Sequence, residues 1–204
     1  MYIVQPSWLA KIGVFPKGTK YAIYAKLDEP GSRFVPQVVP MSKWTVSPSR
    51  IDVETDVCGE DCGEKIAKVL DKLPETPLKA IGNNFTYEAP VSELDSLKEF
   101  ACFDPAVPEG YEVWQRTFHV GLTKDDQMFN VQLSVTKEAM ELSVNVHTEL
   151  KDKEEAGYAA RVARSFPKHR EQAEFLITNV LKARVEHASS DNEEKVGSNG
   201  SHQK

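Results

Sequence analysis

The sequence predicts an α+β fold, with antiparallel sheet covered on one face by helices, and three features carry that prediction. Phe129 to Thr148, FNVQLSVTKEAMELSVNVHT, alternates apolar and polar residues in two runs: Phe129, Val131, Leu133 and Val135, then Met140, Leu142, Val144 and Val146. A period of two is that of a half-buried strand, and the polar link Thr136-Lys137-Glu138-Ala139 is short enough to make the pair an antiparallel hairpin. Ile66, Val69, Leu70 and Leu73 recur instead at i, i+3, i+4 and i+7, the stripe of a helix lying on a core. Antiparallel strands with one apolar face need a layer over it, and amphipathic helices supply that layer.

Taken in order, Trp8-Leu9 and Ile12 to Phe15 are apolar but broken by Pro6, Gly13 and Pro16, which predicts an irregular segment or a short edge strand. Tyr21 to Leu27 reads as a strand with Tyr21, Ile23, Ala25 and Leu27 on one face, closed by the turn residues Asp28 to Ser32. Phe34 to Val46 is β-branched and aromatic, yet Pro36 and Pro40 cannot donate to a ladder and put its first half at an edge or a bulge. Ile51, Val53, Thr55 and Val57 alternate with Asp52, Glu54 and Asp56, a half-buried strand with an acidic outer face.

The first helix opens at Asp61, whose spacing to Glu64 is that of a capping box, and stops at Pro74. Leu78 to Glu88 is the next strand, with Ile81, Phe85 and Tyr87 on one face. Gly82 within it predicts a bulge or a close backbone approach, and Asn83 and Asn84 can be buried only with partners for their amides. A second helix is expected from Ser92, with Leu94, Leu97 and Ala101 inward, then a connector from Asp104 to Gly110. A strand from about Tyr111 puts Trp114, Phe118, Val120 and Leu122 on one face and leads into the hairpin. Leu150 to Arg164, charged and alanine-rich, reads as partly helical. The final helix carries Ala173, Leu176, Ile177, Val180, Leu181 and Arg184 at helical spacing, with Pro167 tolerable near its start.

Residues 1–185 are expected to form one α+β domain, followed by a disordered tail, 186–204, without an aromatic residue. The order strand, hairpin, helix recurs, so two related halves, 1–104 and 105–185, are compatible with it. Val46 to Val53 then lies on Val135 to Leu142 with turn and strand parity in step.

Composition narrows the function classes. With 40% hydrophobic and 27% charged residues over 204 positions the chain is globular, and no apolar run approaches the roughly 20 residues of a membrane helix. The N-terminus lacks the pattern of a secretory signal, and three cysteines, an odd number, argue against a disulfide framework. A cytoplasmic location without membrane association is expected. The net charge of -6 disfavours non-specific nucleic-acid binding, which depends on neutralising phosphates.

Motifs for chemistry are scarce. Cys58 and Cys62, with Cys102 far along, have an unfamiliar spacing for zinc and read better as residues flanking a helix start. Asp52, Glu54 and Asp56, with Glu60 and Asp61, form an acidic row that reads as a solvated strand face rather than a cation site. No metal and no cofactor is expected, since no phosphate-binding glycine loop, nucleophile elbow or zinc-protease helix is present. One constellation remains: His119 and His147 fall on the polar side of their strands with Gln115, Gln132 and Asn145, a candidate ligand or interaction face. Two functions follow. The first is a non-enzymatic protein-interaction or assembly module, binding another protein or itself; the alternative is a small-ligand binder or hydrolase-type enzyme using the two imidazoles. A flat open face favours the first and a concave one the second.

Overall fold

Residues 4–24, 31–37, 42–90, 107–150 and 157–180 are described by a computed structural model. Four short strands, β1 (Tyr21–Tyr24), β2 (Ser32–Pro36), β3 (Lys43–Val46) and β4 (Ile51–Glu54), form an antiparallel meander in chain order. Four long strands form a second antiparallel sheet: β5 (Ala80–Pro90), β6 (Gln115–Lys124), β7 (Gln127–Thr136) and β8 (Ala139–Glu149), in the spatial order β5-β8-β7-β6. Among the helices, α1 (Pro6–Lys11) precedes the first sheet and α2 (Cys62–Lys72) links the two. After the second sheet come α3 (Tyr158–Arg164) and α4 (Phe166–Phe175), which ends in a π-helical turn, Leu176–Val180. The fold is α+β, as the alternation of strand and helix periods predicts.

The first core collects under the meander. Phe34 and Trp44 are fully buried and stack with centroids 5.9 Å apart, Phe15 meets Trp44 edge-on at 5.4 Å, and Leu9 of α1 and Val69 of α2 close the cluster. The Trp44 indole N–H, which burial would otherwise leave unpaired, donates to Ser42 Oγ at 3.2 Å. The second core lies between the long sheet and α4: Phe85, Val131, Leu133, Val144 and Val146 face Ala173 and Ile177, with Phe166 against Phe85. Helix α2 belongs to both sides. Its Val69 enters the first core, while Ala67 and Leu70 pack on Ala160 and Ala163 of α3. Gly63 makes that approach possible, since a Cβ there would lie 2.1 Å from Ala163 O and 2.3 Å from Phe166 Cβ.

The central hairpin is β7 and β8, paired from Gln127↔Thr148 to Val135↔Met140, and Thr136 Oγ accepts the backbone N–H groups of Glu138 and Ala139 to close its turn. Asp61 caps α2 by accepting Glu64 N–H at 2.9 Å. The return half of the expected box gives way to a longer reach: the Glu64 carboxylate accepts from Arg164 Nε at 3.1 Å, tying α2 to α3, and Arg164 also pairs with Asp71. Gly82 causes no bulge, because β5 and β8 stay in register through Gly82↔His147. It is the close approach instead, with its Cβ position 3.3 Å from Asn145 Nδ2.

Several expectations are corrected. Pro6 to Lys11 is a helix rather than an edge strand, since proline suits a first helical position and Gly13, at φ 78°, turns the chain out of it. β2 is interior to the meander, with Pro36 only at its end. Ile23 pairs with Phe34 on the predicted face but is 61% exposed, because β1 is the edge strand. β6 begins at Gln115, leaving Tyr111 and Trp114 outside it and each 74% exposed. The helix expected from Ser92, the inward positions Leu181 and Arg184, and the tail 186–204 lie outside the described residues. The hairpins compared for a duplication do close in the same register, Val46↔Ile51 and Val135↔Met140. The sheets, however, divide the chain between α2 and β5, since β5 pairs with β8 although it precedes the 104/105 boundary.

Candidate functional site

Strand register places all five predicted site residues on one face of the long sheet, the face turned away from α4. Across β6, β7, β8 and β5 the rows read His119, Gln132, Ser143, Thr86; then Gly121, Asn130, Asn145, Asn84; then Thr123, Met128, His147, Gly82. Gln115 stands beside Thr136 at the hairpin-turn end. The side chains bind one another along and across the strands. Asn145 Nδ2 donates to Asn84 Oδ1 at 2.7 Å, Asn130 Nδ2 to Asn145 Oδ1 at 3.3 Å, and Gln132 Nε2 to Ser134 Oγ at 3.3 Å. Among the described residues of this face the acids are Glu88 and Glu141, opposite each other toward the turn, and Glu149 at the far end, with no lysine or arginine.

Among the described residues the face is an open surface, uncharged between its acidic ends, and not a pocket around two imidazoles. His119 is exposed and His147 half-buried. They are two strands apart, about 10 Å, and four residues offset along the strands, about 13 Å, so about 16 Å separates them. No acid–base pair forms across that distance, since proton transfer requires contact or one bridging water. His119 has Gln132 as its neighbour, whereas His147 has Met128 and Gly82.

A second constellation lies on the opposite, buried side of the same sheet. Asn83, Gln127 and Thr148 share strand parity with the core residues Phe85, Phe129 and Val146, so the apolar face ends in polar side chains. His169 of α4 comes down onto them and is 2% exposed. Asn83 Nδ2 lies 2.6 Å from His169 Nδ1, and Gln127 Nε2 lies 2.8 Å from His169 Nε2. A neutral imidazole has one lone pair and one N–H, so one amide must turn its oxygen to the ring. Gln127 Oε1 already accepts from Gln172 Nε2 at 3.1 Å, which selects Asn83. Burial, and then the neighbouring Lys168, holds the imidazole below the usual histidine value.

Beside this network is a cleft of about 210 Å³ between the β6–β7 turn and α3, lined by Asp126, Thr148, Tyr158, Arg161, Ser165 and His169 among others. Tyr158 Oη donates to Asp126 Oδ2 at 3.4 Å, and the Arg161 guanidinium lies 5.5 Å over the Tyr158 ring. Thr148 is 3% exposed, and its hydroxyl has no hydrogen-bond partner. No sequence motif marks this site, since its histidine lies on α4 and not among the alternating strand residues. The usable signal was the parity of Asn83 and Thr148, polar residues at positions that alternate with core ones.

Four of the five residues in the acidic row are already engaged: Asp52 pairs with Arg50, Glu54 with Lys43 and Glu60 with Lys65 at 2.7 Å, while Asp61 caps α2. Cys58 is exposed and Cys62 buried, and burial pushes Cys62 up to about 11, away from the thiolate that a metal binds. Cys102 lies outside the described residues. Among those residues no group of three or more His, Cys, Asp or Glu side chains has the arrangement to hold a metal, and no helix is long and apolar enough to cross a membrane. Comparison of the chain with protein-family models, curated proteins and solved structures found no match.

Proposed function

We propose that the chain is a non-enzymatic interaction module that docks another protein chain on the open face of the long sheet. The observation that carries this reading is the neutral polar belt crossing all four strands. It has hydrogen-bonding groups to offer and, between its acidic ends, no formal charge to desolvate, which is the costly part of burying a polar surface. Tyr111 and Trp114 stand where β6 begins, next to the hairpin turn at which Lys137 pairs with Glu112. Exposed tyrosine and tryptophan are the residue types that anchor protein interfaces, because they bury a large area with few rotatable bonds. The partner is therefore a chain with apolar pockets for these two rings and a polar surface for the belt. The buried Cys62, outside any disulfide, suits a reducing, cytoplasmic setting.

The test is a photo-activated cross-linking residue placed in cells at Thr117 or His119 on the face, with exposed Lys17 as the control position. A defined adduct to another protein or to a second copy should form from the face positions and weaken in Trp114→Ala. Cross-linking that is equal at Lys17, or absent from the face, removes the proposal.

A further inference from the structure

We propose that the outer edge of β5 pairs antiparallel with the β5 edge of a second copy of this chain, on a two-fold axis through Asn84, so that two four-stranded sheets become one. β5 is an outermost strand of the long sheet. Leu150 N–H donates to Lys79 O at 2.8 Å, one step along the register from Ala80↔Glu149. Backbone direction alternates along a strand, so Ile81, Asn83, Phe85, Tyr87 and Ala89 turn their N–H and C=O groups toward β8 as Lys79 does. Ala80, Gly82, Asn84, Thr86 and Glu88 turn theirs outward. Those outward groups have no partner among the described residues. Edge strands are ordinarily blunted by a bulge, a lysine or an inward-pointing charge. β5 has none of these: it keeps register with β8 from Ala80 to Pro90 without a bulge, contains no lysine or arginine, and turns its one acid, Glu88, to the open face.

The asparagine row decides the occupant. Asn130 Nδ2 donates to Asn145 Oδ1 and Asn145 Nδ2 to Asn84 Oδ1, so the series runs toward the β5 edge and ends on the Asn84 Nδ2 group, which has no partner among the described residues. A second Asn84 directly opposite completes it: each Nδ2 donates to the other's Oδ1, which has a second lone pair to accept with. The remaining residues fit the same register. Half-buried Ile81 meets half-buried Tyr87 of the second copy on the core side, at both ends of the contact, and Gly82 lies opposite Thr86. Glu88 lies opposite Ala80, next to the second copy's exposed Lys79, and not opposite the other Glu88. Pro90, without an N–H, falls beyond the paired stretch. A shift of two residues either way loses the Asn84 pair, and it also brings Pro90 into the ladder or shortens it. The contact uses the strand edge alone and leaves the docking face exposed, continued across both copies.

Sedimentation velocity of the full chain, run over a range of micromolar concentrations, tests this. The wild type should sediment as a dimer. Asn84→Lys, which opposes two ammonium groups at the axis, and Asn84→Asp, which opposes two carboxylates, should each weaken association roughly tenfold or more. Asn84 is exposed, and an equal mixture of the two variants should regain the dimer because lysine then faces aspartate; that recovery also shows that both variants fold. Amide exchange gives the second readout: the N–H groups of Gly82, Asn84 and Thr86 should slow as concentration rises, while those of Ile81 and Phe85, already bonded to β8, should not change. The proposal is overturned by a wild type that stays monomeric, whether its edge is bare or takes up a strand of another protein. It is equally overturned if Asn84→Lys associates as the wild type does, or if the mixed variants stay apart. Thr117 and His119 are on β6, at the opposite edge of the sheet, so cross-links from those positions report on the docking face independently.

Discussion

Replacing Gly63 by alanine sets two physical effects against each other, and the structure says which wins. Gly63 is the second residue of α2, where alanine is the better helix former by up to about 1 kcal/mol, so local propensity alone predicts a more stable protein. The added Cβ would sit 2.1 Å from Ala163 O and 2.3 Å from Phe166 Cβ, when carbon contacts settle at about 3.5–4 Å. Neither obstacle is the end of a flexible side chain: one is a backbone carbonyl of α3 and the other the root of the residue that opens α4. Relief requires α2 and α3 to part by on the order of 1 Å, which loosens Ala67 and Leu70 against Ala160 and Ala163 and strains the ties from Arg164 to Glu64 and Asp71. Forced overpacking of this kind costs about 1–3 kcal/mol, more than propensity returns. Urea denaturation should show the midpoint falling with the slope unchanged, and the matched substitution Gly121→Ala, where the nearest atom is 4.0 Å away, should lose nothing. A Gly63→Ala protein as stable as the wild type, or more stable, would refute the close packing of α2 on α3.

Other outcomes follow from single contacts. Asp61→Ala removes the acceptor for Glu64 N–H and should cost about 0.5–2 kcal/mol in equilibrium unfolding, by the same amount in chelator and in millimolar calcium or magnesium; a metal-dependent stabilisation lost in the mutant would make the acidic row a cation site after all. Leu133→Ala, at a fully buried position of β7, should cost about 2–5 kcal/mol, whereas Gln132→Ala beside it should stay within about 0.5 kcal/mol, and similar losses at both would mean that the outer face is covered. The buried His169 is disfavoured as imidazolium in the folded chain, so its contribution is fully present above the unfolded value of about 6.5 and is lost as pH falls from there toward its lowered folded value. Urea melts from pH 7.5 to 5 should show that decline in the wild type and a shallower one in His169→Gln; identical slopes would leave the imidazole without a part in it.

Legibility in the sequence followed the periodicities. Alternation from Phe129 to Val146 located β7 and β8 and their buried faces to the residue, and the stripe Ile66, Val69, Leu70, Leu73 located α2, because each pattern repeats often enough to outweigh one contrary residue. Short or interrupted patterns failed. Proline and glycine around Trp8 look alike whether they break a strand or frame a six-residue helix, and Trp114 keeps the parity of Phe118 although the ladder starts one residue later. Where a strand ends in the sheet, and so whether Ile23 is covered, depends on partners that no local window contains. For the candidate site, parity correctly put His119, His147, Gln115, Gln132 and Asn145 on one face, but parity carries no distance, and the separation of the two imidazoles emerged only from the register between strands.

The polar end of the second core has a consequence for the cleft. Apolar contacts between α4 and the sheet, Ala173 and Ile177 over Val and Leu side chains, would survive a slide of the helix along its axis, because one aliphatic surface resembles the next. The hydrogen bonds of His169 would not. Asn83 is on β5 and Gln127 on β7, with β8 between them, so a single imidazole reaches both amides in only one placement of the helix. One turn of slippage, about 5.4 Å, would strand two amides and a ring in a buried setting, at about 1–3 kcal/mol for each unsatisfied group. That penalty exceeds what a similar apolar packing could regain, so the network fixes the register of α4 even if it adds little to net stability. Ser165, which joins α3 to α4, is thereby fixed as well, and with it the wall that faces Asp126 and Thr148. The buried histidine thus holds the shape of the cleft from behind.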